Sequence, residues 1–160
     1  MNVTTTPIDG TEMIALTAII KSGQERAVRR CLFELEQTPG DEWTPMSREA
    51  ARSKYGNTWD APAWKSSNAD RLAWVRDHTN AKTWAGIEFI RAQGMVSGDA
   101  VAAAAGYADG MAWKSVLPHL AGYCLRVGRR PLWDVRKVDG VWHYYLPEIV
   151  TALLTELDEQ

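Results

Sequence analysis

The sequence has little of what marks a catalyst, a secreted scaffold or a membrane protein. Its 160 residues hold two cysteines and three histidines. Cys31 and Cys124 lie far apart among apolar neighbours. They make neither a metal-ligand spacing nor a disulfide framework, and two buried small hydrophobes is the simpler reading. His78, His119 and His143 have no cysteine or carboxylate at ligand spacing. Glycine-rich phosphate loops, a nucleophile elbow and paired metal motifs are all missing. No catalytic residue, cofactor or metal is therefore expected, and binding is favoured over enzyme activity. Long apolar runs are missing too: 13–20 is the longest candidate and stops at Lys21, well short of the roughly 18 residues a membrane span needs. The N-terminus lacks a basic stretch followed by an apolar run, so no signal peptide is expected, and a cytoplasmic location is the default.

What is present is an ordinary globular composition, 46% hydrophobic and 24% charged, with a net charge of −2. The charge is uneven. Residues 107–145 carry six basic against three acidic residues, a local +3, while 146–160 carry four acidic residues and no basic one. Phosphate attraction decays over about 8–10 Å in physiological salt, so local charge matters more than the total. The eight tryptophans are spread along the chain, as expected of rings that each anchor a separate packing unit.

The periodicity divides the chain into an N-terminal helical unit with linker (1–68) and a C-terminal domain (69–160). Thr11 is a candidate cap for an amphipathic helix carrying Met13, Ile14, Leu16 and Ile20; a strand over 13–20 is the alternative, because short Ile-rich runs are ambiguous. A second helix is expected around Ala27 to Leu35. Residues 41–70 read as a loop with one short helix capped by Ser47. From Ala69 onward the pattern is regular. Helices are expected from Asp70, over 81–93, over 98–105 and over 112–127, with a kink or break near Pro118. Two β-rich runs then flank Asp139-Gly140, a pair suited to a type I′ hairpin. Pro147-Glu148 opens a last helix.

The order helix, short helix, turn, longer helix, hairpin, helix is that of a helix-turn-helix with a wing. The alanine-rich 100–105 segment suits close helix packing, and Gly106 and Gly110 suit a tight connection. With Gly128-Arg129-Arg130-Pro131-Leu132-Trp133, Asp139-Gly140-Val141-Trp142-His143-Tyr144-Tyr145 and Leu146-Pro147-Glu148-Ile149-Val150, this half of the chain resembles winged helix domains, and more narrowly an uncharacterised bacterial group of them. The fold class implied is mainly α with a small β-hairpin, a winged helix-turn-helix preceded by an N-terminal helical unit. The resemblance implies duplex DNA binding, as in a small transcriptional regulator working as a dimer.

The residue types agree with that expectation. Lys114, Ser115 and His119 fall on the polar side of the 112–127 helix, where base edges would be met. Arg126, Arg129 and Arg130 leave its end, and Arg136 and Lys137 sit near the wing tip, as candidate phosphate contacts. Each has a plainer reading. Lys114 and His119 suit solvated helix positions, the three arginines suit the helix dipole, and Arg136-Lys137 suits a soluble hairpin tip. A homodimer through 11–37 is the expected assembly. The alternative function is a protein-protein interaction module on the same scaffold without DNA binding, for which exposed tryptophans in 43–74 would speak.

Overall fold

The structure, a computed structural model, describes residues 43–159 in full and the backbone alone of residues 2–8 and 11–17. It separates into two compact units, 1–41 and 42–160. In the first, strands β1 (Asn2–Ile8) and β2 (Thr11–Thr17) pair antiparallel, with Thr4 opposite Ala15 and Thr6 opposite Met13. The helix expected from Thr11 is therefore a strand over 11–17. The threonine run 4–6 supplies β-branched residues with high strand propensity, and a cross-strand partner outweighs a weak helical spacing. The expected helix at 27–35 and most of the 11–37 dimer segment lie outside the described residues.

The second unit is mainly helical with one small sheet. Helix α1 (Arg48–Tyr55) begins where the Ser47 hydroxyl accepts the Ala50 N–H at 3.1 Å. Two 3-10 turns follow, Thr58–Asp60 and Ser66–Asn68. Helices α2 (Ala69–His78) and α3 (Ala81–Gln93) come next; the side chain of Asn80 caps α3 by accepting from Thr83 N at 2.8 Å. Strand β3 (Met95–Ser97) leads into α4 (Gly98–Ala105), which closes at Gly106 with φ 74°. Helix α5 (Gly110–Arg126) is capped by Asp109, whose carboxylate accepts from Ala112 N at 2.8 Å. Strands β4 (Asp134–Val138) and β5 (Val141–Tyr145) form the expected hairpin, and α6 (Glu148–Asp158) ends the described chain. Asp139 and Gly140 both have positive φ, 47° and 82°, the requirement of a type I′ turn.

Two features depart from the sequence reading. First, β3 adds a third strand, and the sheet order is β3-β5-β4, all antiparallel. Second, α5 runs unbroken through Pro118. Pro118 is on the solvent side, so the carbonyl that loses its helical donor there faces water.

The core gathers one face of each helix. Leu72 and Val75 from α2, Ile87 and Ile90 from α3, Val101 from α4, and Trp113, Leu120 and Cys124 from α5 meet Leu132, Tyr144, Val150 and Leu153. Helices α3 and α5 approach closely at Gly86: a Cβ there would lie 2.5 Å from Cζ3 of Trp113. This approach anchors the first turn of α5, and with it the direction in which its polar side faces.

The segment 43–68 packs with the C-terminal unit, although the sequence reading groups it with residues 1–42. Met46 and Arg126 are joined twice: Met46 N donates to Arg126 O at 2.8 Å, and Arg126 Nε donates to Met46 O at 2.9 Å. Trp64 Nε1 donates to Arg130 O at 2.8 Å, and Arg130 N donates to Pro62 O at 3.0 Å. The edge of one ring meets the other where Trp59 touches Trp133, 6.5 Å between centroids. The aromatics of this stretch thus make up for its lack of long helices.

Candidate nucleic-acid interface

Helix α5 divides sharply by side. Trp113, Leu117, Leu120 and Cys124 are buried, while Met111, Lys114, Ser115, Pro118 and His119 are exposed. Positions three and four apart share a helix face, so the exposed set forms one stripe along the first two and a half turns. Lys114, Ser115 and His119 therefore come together as the spacing predicts. The Ser115 hydroxyl donates to Ala112 O at 2.7 Å, which leaves its lone pairs outward. His119 lines a groove with His78, Asn80, Thr83, Val116 and Tyr123.

The start of α5 is already occupied by carboxylates. Asp99 accepts from Gly110 N at 2.9 Å and Asp109 from Ala112 N. These satisfy orphan amide donors and place negative charge at the positive end of the helix dipole. Anion binding at this helix must therefore come from cationic side chains rather than from its N-terminus.

Arg126, Arg129 and Arg130 form a second group with a different occupation. The Arg126 guanidinium lies 4.9 Å from the Trp74 ring centroid while bonding Met46 O. Arg129 Nε donates to the buried Asn68 Oδ1 at 2.5 Å and Nη1 to Gly128 O at 2.8 Å. Arg130 sits 3.7 Å from the Asp134 carboxylate. The Arg126 and Arg129 side chains and the Arg130 backbone hold the seam between the end of α5 and residues 43–68, and the Arg130 guanidinium faces Asp134 of β4, so the three do not extend the exposed stripe of Lys114, Ser115 and His119.

Arg136 and Lys137 are both exposed and lie on opposite faces of the hairpin, as consecutive strand residues must. Arg136 is opposite His143, and Lys137 is opposite Trp142. The Lys137 ammonium stands 5.8 Å from the Trp142 ring centroid. Tyr144, on the same face as Trp142, packs edge-on against Trp113 of α5, 6.3 Å between centroids. Trp142 and Lys137 thus continue the helix-facing side of the hairpin by one pleat repeat, about 7 Å, toward the turn. Trp142 is 54% exposed there.

Sequence reasoning passed over two cations on α1. Arg48 and Arg52 are exposed, and Arg48 lines clefts with His119, Gly122 and Arg126 on one side and with Pro118 and Gly122 on the other. The signal was present: Ser47 as cap, then arginines four apart around Ala51, which is 1% exposed.

The remaining titratable chemistry is structural. Burial pushes the Cys124 thiol up to about 12 against two weaker backbone hydrogen bonds, so it is neutral and inert. Burial also raises Tyr144. Among the described residues no group of three or more histidine, cysteine, aspartate or glutamate side chains is arranged to hold a metal, and no helix is long and apolar enough to cross a membrane. Comparison with protein-family models, with curated proteins and with solved structures gave no match.

Proposed function

We propose that residues 81–158 act as a winged helix-turn-helix unit that binds duplex DNA, with the first half of α5 in the major groove and the β4–β5 hairpin as the wing. The reading rests on one observation above the others. The exposed stripe of α5, with Lys114, Ser115 and His119, adjoins a hairpin whose helix-facing side carries Lys137 and an exposed Trp142. The sheet order β3-β5-β4, with α4 and α5 inserted between β3 and β4, supports it. Groove width, about 12 Å, admits one helix, and polar side chains near its N-terminus reach base edges. A role in transcriptional regulation, with no chemistry of its own, follows from this reading.

The test is fluorescence anisotropy of a labelled random-sequence duplex at 50 and 200 mM salt. Binding that weakens steeply between the two is expected; absence of binding at both overturns the reading.

One observation favours a second reading, a protein-interaction module on the same scaffold. Met111 is 70% exposed, Trp142 54% and Val141 50%, and exposed aromatic anchors are typical of protein interfaces. Under that reading, duplex DNA leaves amide exchange in α5 and the hairpin unchanged.

A further inference from the structure

Helix α1 has a definite orientation against α5. Ala51 packs into a small cluster with Leu125 and Ala61, flanked by Met46 and Tyr55. The reciprocal backbone and side-chain bonds between Met46 and Arg126 hold the entry to the helix. With Ala51 inward, Arg48 and Arg52 fall on the same side of α1, one turn apart. Both line the cleft of about 390 Å³ that α1 makes with Pro118, Gly122 and Leu125, and Arg48 also lines its neighbour of about 240 Å³ with His119 and Arg126. Gly122 leaves the cleft floor open: a Cβ added there would meet nothing within 4 Å. Asn57 also lines the cleft, its side-chain Oδ1 accepting from Trp59 N at 3.1 Å and its side-chain N–H groups without an acceptor among the described residues. Neither arginine has an ion-pair partner among the described residues. Glu49 lies 100° from Arg48 but shares a helix face with Arg52, three residues on; the two form no ion pair among the described residues.

The position along α5 is what gives the pair a purpose. Pro118 and Gly122 lie four and eight residues beyond Lys114, about 6 and 12 Å along the helix axis; a helix that enters the groove by its N-terminus crosses the border, half the width of about 12 Å from mid-groove, over this stretch. A helix that offers Lys114 and Ser115 to base edges therefore has Pro118 to Gly122 passing the sugar-phosphate strand at the groove border. Arg48 and Arg52 stand there, and planar guanidinium groups suit phosphate oxygens.

We infer that Arg48 and Arg52 form a phosphodiester-binding clamp, supplied by a helix outside the helix-turn-helix, that grips the DNA strand bordering the groove entered by α5. This rests on the DNA-binding reading above and adds to it a specific positioning element. The clamp contributes affinity and register but no base discrimination.

The experiment measures anisotropy titrations of a random-sequence duplex between 50 and 200 mM salt for the full chain, R48Q/R52Q, R48K/R52K and the charge-matched control K54Q/K65Q. The expected result for R48Q/R52Q is a salt slope shallower by about 2, at about 0.9 per phosphate contact, with the thermal midpoint unchanged because both side chains are exposed. R48K/R52K retains most of the slope, and K54Q/K65Q retains all of it. A slope in R48Q/R52Q equal to wild type, or a loss matched by K54Q/K65Q, overturns the clamp while leaving DNA binding standing. Absence of wild-type binding overturns both. If R48Q/R52Q loses its helical signal, the single variants R48Q and R52Q decide, each expected to lower the slope by about 1.

Discussion

The Gly86–Trp113 contact makes a sharp test of the packing that orients α5. Replacing Gly86 with alanine has two opposed consequences. A mid-helix alanine is favoured over glycine by about 1 kcal/mol. Against that, the new Cβ would sit 2.5 Å from Cζ3 and 2.7 Å from Cη2 of Trp113, and 3.1 Å from a Val101 methyl. Carbon atoms pack at about 3.5–4.0 Å, so the ring must retreat by about 1 Å. It has little room: Trp113 is 0% exposed, and its ring is enclosed by Tyr107 and Tyr144, with centroids 5.9 and 6.3 Å away. Overpacking costs about 1–3 kcal/mol; a contact this short falls in the upper half of that range, about 2–3 kcal/mol, so the steric effect should win by about 1–2 kcal/mol, a fall in thermal midpoint of about 2–8 °C for a chain of this size. Circular dichroism at 222 nm during heating and during urea titration reads it directly. Trp113→Phe removes the outer ring atoms that the Cβ meets, so Gly86→Ala in that background should be neutral or stabilising, a coupling of about 1–2 kcal/mol in the double-mutant cycle. Equal or greater stability of Gly86→Ala in the wild-type background would refute the close approach.

Two further predictions concern groups that the fold has enclosed. Arg129→Ala should cost about 1–3 kcal/mol in urea unfolding, because the 3%-exposed Asn68 loses one of its two donors; Arg136→Ala, on the exposed hairpin, should stay within about 0.5 kcal/mol, and equal costs would sink the distinction. For Cys124, burial raises the folded thiol from 9.0 to about 12. Its stabilising effect is complete below about pH 9, where both states hold the proton, and declines above it as the unfolded thiol ionises first. Wild type should therefore lose stability faster than Cys124→Ala between pH 9 and 11, by up to one proton or about 1.4 kcal/mol per pH unit; parallel curves would contradict the burial.

Helices α3, α4 and α5 of the C-terminal unit were legible because each carries both a side-chain cap and an apolar face. Ser97 marks a start and Gly94 and Gly106 mark ends, while Asn80 and Asp109, which read as turn residues, prove to be caps as well. The hairpin was legible from Asp139-Gly140. Three things were not. Strand β3 is three residues long, too short for alternation to register, and it exists because β5 offers it a free edge. The strand at 11–17 carries apolar residues whose spacing fits a helix as well as a strand, and only its pairing with β1 decides. The occupation of the Arg126 and Arg129 side chains depends on residues about 60 to 80 positions earlier in the chain. Local sequence cannot report such partners. It reported a basic cluster at a helix end, and the fold turned that cluster into a clasp for a segment that reads as a linker.

That clasp changes the electrostatics expected of DNA binding, and by enough to measure. The sequence offers up to six phosphate-facing cations if the three seam arginines join Lys114, Arg136 and Lys137. With those three engaged internally and Arg48 and Arg52 added, the set becomes Arg48, Arg52, Lys114, Lys137 and Arg136. Because Arg136 and Lys137 occupy opposite faces of the hairpin, only one of them meets a given strand, which leaves about four contacts. At about 0.9 per contact, the affinity should fall about 150-fold between 50 and 200 mM salt. If the seam arginines also reached phosphates, seven contacts would give a fall of about 6,000-fold. The two values differ far beyond experimental error, and Arg129→Gln separates them again: it should lower stability but leave the salt slope unchanged. A slope near −6, reduced by Arg129→Gln, would mean that the seam opens on DNA and that residues 43–68 release the end of α5 when the duplex binds.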